Sequence, residues 1–339
     1  MLVATNSISL ADELPLEHIP PEKRWSENYC FIGYDFVTRV GLYLHIGRWL
    51  QDPTIWREQL YVYLPDGTTL NYRSLGRGDS AKGPHGALVS YDCQEPGHLW
   101  RVTFKGPTNH LTRAQVLEAH GLREQPMEIM EMDAIFKGAG PIIRYDVMDN
   151  VTFGRWHYEQ EMSIDARFKF RGQTYEMKAA QGWRDHTRGP RHLADVRGHI
   201  NFQGRLPDGR FFCAFQVWEE RNAREVQIVN DARLVNGSDF IEAEILEATR
   251  LRSVSALDND IKLTLKVGKE HIELVGRPLN LMCYSCTPTF EILYGFAPEA
   301  APFVCFNQPV QFRFGNQVIG GSIERTMWFG PTTLEPNAM

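Results

Sequence analysis

The sequence predicts an all-β protein built from two consecutive antiparallel β-barrels or sandwiches with few short helices. Of the 339 residues, 8 are Trp, 12 Tyr and 19 Phe, an aromatic load that suits pleated, half-buried surfaces better than a helical bundle. Apolar and polar residues alternate over short runs separated by Gly, Pro and Asp, which is the punctuation of hairpins. The length exceeds one ordinary core and fits two domains at roughly 100 to 200 residues each.

In chain order, residues 1–28 are polar, carry Pro15, Pro20 and Pro21, and read as an extended arm packed over the body. Tyr29 to Leu44 reads as one long strand interrupted at Gly33 and Gly41. Gln59 to Leu64 and Thr68 to Tyr72 form a hairpin across Pro65-Asp66-Gly67, and His85 to Tyr91 and Leu99 to Phe104 repeat that arrangement across Glu95-Pro96-Gly97. The best helical candidate is Thr112 to His120, with Thr112 as N-cap. Gly154 to Phe170 alternates Trp156, Tyr158, Gln160, Met162 and Ile164 against His157, Glu159, Glu161 and Ser163, and meets Thr174 to Ala180 across Arg171-Gly172-Gln173. Further strands are expected at Gly198 to Arg205, Arg210 to Glu219, Arg224 to Asn230, Asp239 to Leu251, Lys262 to Lys266 and Glu270 to Val275. Phe290 to Tyr294, Val310 to Phe314 and Gly320 to Trp328 complete the series, a total of roughly a dozen or more strands.

The net charge of −6 and a pI near 6.0, with no basic run, speak against nucleic acid as a partner. No apolar stretch has transmembrane length, and the N-terminus lacks the cationic and apolar regions of a signal peptide. Six scattered cysteines then read as reduced thiols in a cytoplasmic protein. Cys283-Tyr284-Ser285-Cys286 is a lone CxxC and a weak zinc signal; no metal or organic cofactor is expected. His157, Glu159 and Glu161 share a strand face, which invites a metal reading, but a solvated face with cross-strand salt bridges is the plainer account. His110, His120, His192 and His199 are isolated.

Chemistry concentrates in Gly182-Trp183-Arg184-Asp185-His186-Thr187-Arg188-Gly189-Pro190-Arg191. Asp, His and Arg together offer a proton donor or acceptor, a group titrating near neutrality and permanent cations. The same composition makes a buried ion-pair corner, so a structural role that welds the domains stands beside the catalytic one.

The stretch from Gly154 through Arg191 resembles the bacterial two-domain lipocalin-like proteins related to hydroxyneurosporene synthase, the acyclic carotenoid hydratase. It has an HxEQxM-like strand, the Arg167-Phe168-Lys169-Phe170-Arg171-Gly172-Gln173 hairpin, and then the Gly182–Arg191 run. Members of that group often carry Gly-x-Arg-Asp-His-Ser-Trp-Gly-x-Arg. This chain keeps Gly182, Arg184, Asp185, His186, Gly189 and Arg191, with Thr187 in place of Ser and Arg188 in place of Trp. Gly320-Gly321-Ser322-Ile323-Glu324 is a second, weaker echo. The resemblance implies two lipocalin-like domains, 29–185 and 186–330, between the arm and a tail at 331–339, with an apolar pocket for isoprenoid, steroid or polyketide-like ligands. Relatives include kievitone hydratase, cofactor-free cyclases and Diels-Alderases.

Carried onto this chain, the family's Asp-His pair falls on Asp185 and His186, with Asp185 as acid and His186 as water-orienting base, assisted by Arg184 and Arg188. In an extended segment Gly182, Arg184 and His186 face one way and Trp183 and Asp185 the other, which sets His186 with Arg184 apart from Asp185. A guanidinium at position 188 suits an oxyanion better than a carbocation. Trp183, Trp156, Tyr158, Gln216 and Trp218 are the candidate substrate-binding residues. The expected activity is that of a cofactor-independent hydratase, lyase or isomerase acting by proton transfer on a terpenoid, steroid or aromatic alkene. The alternative is a carrier that binds such a ligand unchanged. The strand edges of two open barrels are compatible with a homodimer, though no residue marks an interface.

Overall fold

The computed structural model describes residues 3–5, 8–78, 80–118, 126–144, 154–191, 193–237, 239–287 and 291–329; His120, His192 and the 331–339 tail lie outside the described residues. The chain divides into two compact units, Met1–Arg113 with Gly121–Arg191, and Ala114–His120 with His192–Met339. The division expected after residue 185 falls inside a strand that runs on to Pro190.

The first unit contains β1 (Val3–Thr5), α1 (Leu10–Glu13), β2 (Trp25–Asp35), β3 (Val40–Arg48), β4 (Trp56–Tyr63), β5 (Thr69–Gly76), β6 (Val89–Glu95), β7 (Leu99–Leu111), β8 (Met127–Arg144), β9 (Trp156–Phe170) and β10 (Gln173–Pro190). The strand order is β1-β8-β9-β10-β2-β3-β4-β5-β7-β6, and a further β7–β8 pairing closes β8, β9, β10, β2, β3, β4, β5 and β7 into an eight-stranded antiparallel barrel. Its interior is packed with Phe31, Leu42, Leu44, Leu60, Val62, Trp100, Phe136, Ile164 and their neighbours. The side chains therefore fill a barrel of this strand number.

Three local expectations change. Tyr29 to Leu44 is not one strand: Asp35 Oδ1 accepts the amides of Val37 (2.9 Å) and Thr38 (3.2 Å), and Arg39 takes φ 60°, so the chain reverses between β2 and β3. The arm is not wholly extended, because Ser9 caps α1 by accepting the Asp12 amide at 3.0 Å. The helix expected over Thr112 to His120 is the shorter α2 (Arg113–Leu117) within the described residues.

Two glycines permit close packing where β10 meets β2. A Cβ on Gly182 would lie 2.3 Å from the Ile164 Cδ1 methyl and 2.3 Å from the Ile32 carbonyl oxygen, and the same methyl would meet a Cβ on the register partner Gly33 at 2.1 Å. These two glycines let the Ile164 side chain cross β10 and β2, a close approach that only glycine permits.

The second unit holds β11 (Val196–Arg205), β12 (Phe211–Arg221), β13 (Arg224–Asn236), β14 (Asp239–Ala248), β15 (Ile261–Val267), β16 (Glu270–Pro278), β17 (Met282–Cys286), β18 (Ile292–Tyr294), β19 (Phe303–Phe314) and β20 (Gln317–Trp328). Their order is β16-β15-β14-β13-β12-β11-β20-β19-β17-β18, with β16 also paired to β19. Phe202, Phe212, Leu234, Leu263, Ile272, Phe312 and Ile323 lie in its core. Cys283 and Cys286 are buried within β17. Among the described residues no helix is long and apolar enough to cross a membrane.

Candidate functional site on the first barrel

β10 lies between β9 and β2, so its alternation sends its side chains to two different places. Arg184, His186 and Arg188 point inward, level with Gln160, Tyr158 and Trp156 on β9 and with Phe31, Tyr29 and Glu27 on β2. Trp183 and Asp185 point outward.

Inside the barrel, the cations are neutralised by two carboxylates that the sequence reading missed. Glu13, at the end of α1, reaches Arg184 Nη2 at 2.8 Å; both side chains are 0 % exposed. The same carboxylate accepts from Trp100 Nε1 (2.6 Å), Tyr158 Oη (2.6 Å) and the Gly97 amide (3.2 Å). Burial would raise its pKa, but the Arg184 charge and these donors hold it below the usual value. Arg184 also donates to Gln160 Oε1 and to Tyr158 Oη.

Glu27 is the second carboxylate. It accepts from His186 Nε2 (3.1 Å), Arg188 Nε (2.8 Å), Arg48 Nε (3.1 Å) and the Leu16 amide (3.1 Å). Desolvation opposes its ionisation, yet the His186 hydrogen bond and the cations beside it bring its pKa down to about 2. Burial dominates at His186 and lowers its pKa to about 4, against the opposing pull of Glu27. A neutral His186 therefore donates from Nε2 and leaves Nδ1 as an acceptor, which has no partner among the described residues. Tyr29 stacks on the imidazole at 3.8 Å between centroids, and Trp156 meets it edge-on at 4.9 Å.

This network fastens the arm. Arg188 Nη2 donates to the carbonyls of Ala11, Asp12 and Leu14, Arg48 Nη2 to that of Leu16, and Tyr29 Oη to that of Glu13. Arg188 thus anchors α1 while its guanidinium lies 4.8 Å above the Trp156 ring.

The outward face of the same strands differs in kind. Register sets Glu159, Asp185, Cys30, His45 and Gln59 in one row across β9, β10, β2, β3 and β4. One step along the strands, Trp183, Ile32, Tyr43 and Tyr61 form an apolar row. Although outward, much of this surface is buried: Cys30, Gln59, Tyr43, Tyr61 and Trp183 are all below a tenth exposed, while Asp185 and His45 are half-buried. Gln59 is 0 % exposed, and neither of its amide atoms has a hydrogen-bond partner among the described residues. Burial, then the charges of Arg57 and Arg191, push the His45 imidazole well below the usual histidine value.

The sequence-derived candidates separate accordingly. Arg184, His186, Arg188, Trp156 and Tyr158 meet in the barrel interior, and Asp185 and Trp183 lie on the outward face. Gln216 and Trp218 belong to the second unit, where they share a face of β12 with the core residues Phe212 and Ala214. There Gln216 donates to Asn230 Oδ1 at 2.8 Å and Arg250 lies 4.1 Å over the Trp218 ring. The face of His157, Glu159 and Glu161 is not solvated as expected: Glu159 and Glu161 are buried, and His157 Nδ1 lies 2.7 Å from Thr187 Oγ1.

A closed eight-stranded barrel with a packed interior, followed by a second all-β unit, defines a two-unit lipocalin-like protein. The chain belongs to the family described as "Domain of unknown function (DUF7064)", which matches residues 10–291. Its fold is similar to a protein assigned as AttH from Nitrosomonas europaea, with a TM-score of 0.54 and 13% identity over 91% of this chain and 92% of that one. CghA matches with a TM-score of 0.53 and 10% identity over 91% and 89% of the two chains. Kievitone hydratase from Nectria haematococca matches with a TM-score of 0.52 and 9% identity over 89% and 88%. No curated protein matches the sequence.

Proposed function

We propose that this protein is a cofactor-independent hydratase, lyase or isomerase that moves a proton on a hydrophobic small molecule at the outward face of β10, β2, β3 and β4. One observation carries the proposal: the half-buried Asp185 lies in one row with the fully buried Gln59, whose amide has no hydrogen-bond partner among the described residues, beside the aromatic row of Trp183, Tyr43 and Tyr61. A buried amide without a partner costs about 1–3 kcal/mol, a cost that a bound ligand offsets.

In this reading Asp185 is the proton-transfer group. For hydration, the carboxylic acid gives its proton to one alkene carbon, water adds to the other carbon, and the proton released from that water restores the acid. For isomerisation, the carboxylate takes a carbon-bound proton and returns it at another carbon. The faces of Trp183 and Tyr43 stabilise positive charge at the substrate. Arg184, His186 and Arg188 act from the other face as positioning residues, fixing β10 through Glu13 and Glu27. A fold relative bearing the name kievitone hydratase fits this reaction class.

The second reading makes His186 the proton carrier, and its Nδ1, which has no partner among the described residues, favours it. That role requires α1 to leave the barrel, because the imidazole is 0 % exposed.

Mass spectrometry separates these readings. Terpenoid, steroid and aromatic alkenes are incubated with the protein in H₂¹⁸O and in D₂O, using wild type, Asp185→Asn and His186→Ala. Incorporation of ¹⁸O that is lost in Asp185→Asn establishes hydration through Asp185; deuterium without ¹⁸O points to isomerisation. Loss in His186→Ala with retention in Asp185→Asn overturns the assignment in favour of His186. Alkenes that bind and return unlabelled make the protein a carrier.

A further inference from the structure

We propose that the end of the first barrel is a receptor for an apolar carboxylic acid and that the chain's own arm occupies it, with Glu13 as a tethered competitor of the free ligand. The inference holds whether protons move at Asp185 or at His186.

The way α1 docks carries it. A surface helix is normally held by its apolar side chains, yet of the four residues Leu10–Glu13 only Glu13 is buried, and Leu10 is 56 % exposed. The rest of the grip falls on backbone carbonyls, which Arg188, Arg48 and Tyr29 engage without regard to the arm's side chains. Glu13 therefore enters the barrel as a ligand headgroup does. Leu14 follows it and packs against the barrel core, so the pair presents a carboxylate with an aliphatic group behind it. The link to β2 is exposed at Glu17, His18 and Pro21, which lets α1 swing out while β2 keeps its place in the sheet.

The donors that meet Glu13 belong to the barrel and are held without it. Arg184 Nε and Nη2 donate to Gln160 Oε1 at 3.0 and 2.8 Å, and Nη1 donates to Tyr158 Oη at 2.6 Å. Gln160 Nε2 is fixed in turn by the carbonyls of Gly97 (2.7 Å) and Gly140 (3.0 Å). The guanidinium also lies 5.0 Å from the Tyr158 ring centroid and 5.6 Å from that of Trp100. With α1 withdrawn, Arg184 Nη2, Trp100 Nε1, Tyr158 Oη and the Gly97 amide still converge, a preorganised seat for two carboxylate oxygens. Charge sets the class of ligand. Arg184 is 0 % exposed, so a neutral headgroup leaves a buried cation unbalanced, whereas an acid replaces Glu13 like for like. Room for the tail is that given up by Leu14 and the rest of α1, beside the rings of Tyr29 and Trp100.

The test uses octanoate and its neutral analogue octanamide with the full wild-type chain, Glu13→Ala and Glu13→Ala/Arg184→Met. By isothermal calorimetry Glu13→Ala should bind octanoate at least about tenfold more tightly than wild type does, because the tethered carboxylate no longer competes at the roughly millimolar effective concentration of a short link. Octanamide affinity should change less than about twofold, and Arg184→Met in the double variant should abolish the preference for the acid. In wild type, octanoate but not octanamide should speed limited proteolysis near residues 10–16 by about tenfold or more, as displacement of α1 requires. Should Glu13→Ala fail to fold, this cleavage measurement decides alone. An ion pair that is purely structural leaves wild-type cleavage indifferent to octanoate and gives Glu13→Ala no higher affinity than wild type. Either result overturns the proposal, as does an equal effect of octanamide. Displacement of the arm by octanoate in a protein that labels no alkene in H₂¹⁸O or D₂O upholds the receptor and refutes only the proposed reaction.

Discussion

Glu13→Gln tests whether the barrel interior is a charge network closed by the arm. Among the described residues Arg184 then keeps only neutral acceptors, Gln160 Oε1, Tyr158 Oη and the oxygen of the new amide. The new amide retains the position of Oε1, which serves Trp100, Gly97 and Arg184, but turns an N–H₂ toward Tyr158 Oη, whose own hydrogen loses its acceptor. Orphaning one partner of a buried ion pair costs about 3–5 kcal/mol, because the remaining charge stays desolvated. For a unit of this size that lowers the melting temperature by about 10 °C. Differential scanning calorimetry with Trp fluorescence follows the transition of the first unit. In Glu13→Gln/Arg184→Met neither buried charge remains, and at least half of the loss should return. A single variant within about 1 kcal/mol of wild type, or a double variant no better than the single, refutes the network as the source of stability.

Three further outcomes follow from the same geometry. His186 drops from 6.5 to about 4 on folding, so it favours the native state above pH 6.5, and this contribution of about 3 kcal/mol is lost as pH falls toward 4. Glu27, lowered from 4.5 to about 2, contributes about 3 kcal/mol above pH 4.5 that fades as pH falls through 2. Urea unfolding of His186→Phe, which keeps a ring against Tyr29, should show a shallower decline between pH 6.5 and 4, with the remainder due partly to His45, whose pKa is also lowered; an unchanged slope contradicts the assignment. Gly182→Ala should cost about 3 kcal/mol or more, since the new methyl meets the rigid Ile32 carbonyl at 2.3 Å, and a melting temperature equal to wild type rules out the close packing. Arg188→Met removes three hydrogen bonds to arm carbonyls and should speed limited proteolysis near residues 10–16 by about tenfold or more, the chain beyond residue 25 remaining protected; equal cleavage rates reject Arg188 as the anchor.

The strand content of the fold was legible because most of its elements announce themselves locally, as Arg171-Gly172 does between β9 and β10 with both residues at positive φ. The turn after Asp35 was not, because Phe36 to Arg39 contains neither Gly nor Pro and the reversal depends on one aspartate side chain. Alternation along Trp183 to Arg188 correctly separates Asp185 from Arg184 and His186, since it depends only on extended backbone. The acids that answer those cations were hidden by distance: Glu13 and Glu27 lie far up the chain, and nothing nearby distinguishes them from surface glutamates. One signal was present, because two arginines and a histidine destined for a barrel interior require carboxylates from elsewhere. His45 and Gln59 were missed for another reason. β2, β3 and β4 are buried on both faces, so polar residues at alternate positions there do not mark solvent.

The pairing of Glu13 with Arg184 also orders events during synthesis. The arm leaves the ribosome before β10, yet its salt-bridge partner and the strand that pairs with β2 come from this last strand of the first barrel. Until β10 has emerged, β2 lacks one neighbour, the barrel cannot close, and Glu13 and Glu27 have no buried cation from β10 to neutralise them. Such long-range closure is slow, because the chain must order a large loop before the contacts that reward it can form. The first barrel is thus expected to mature as a single late step in which sheet closure and arm docking occur together.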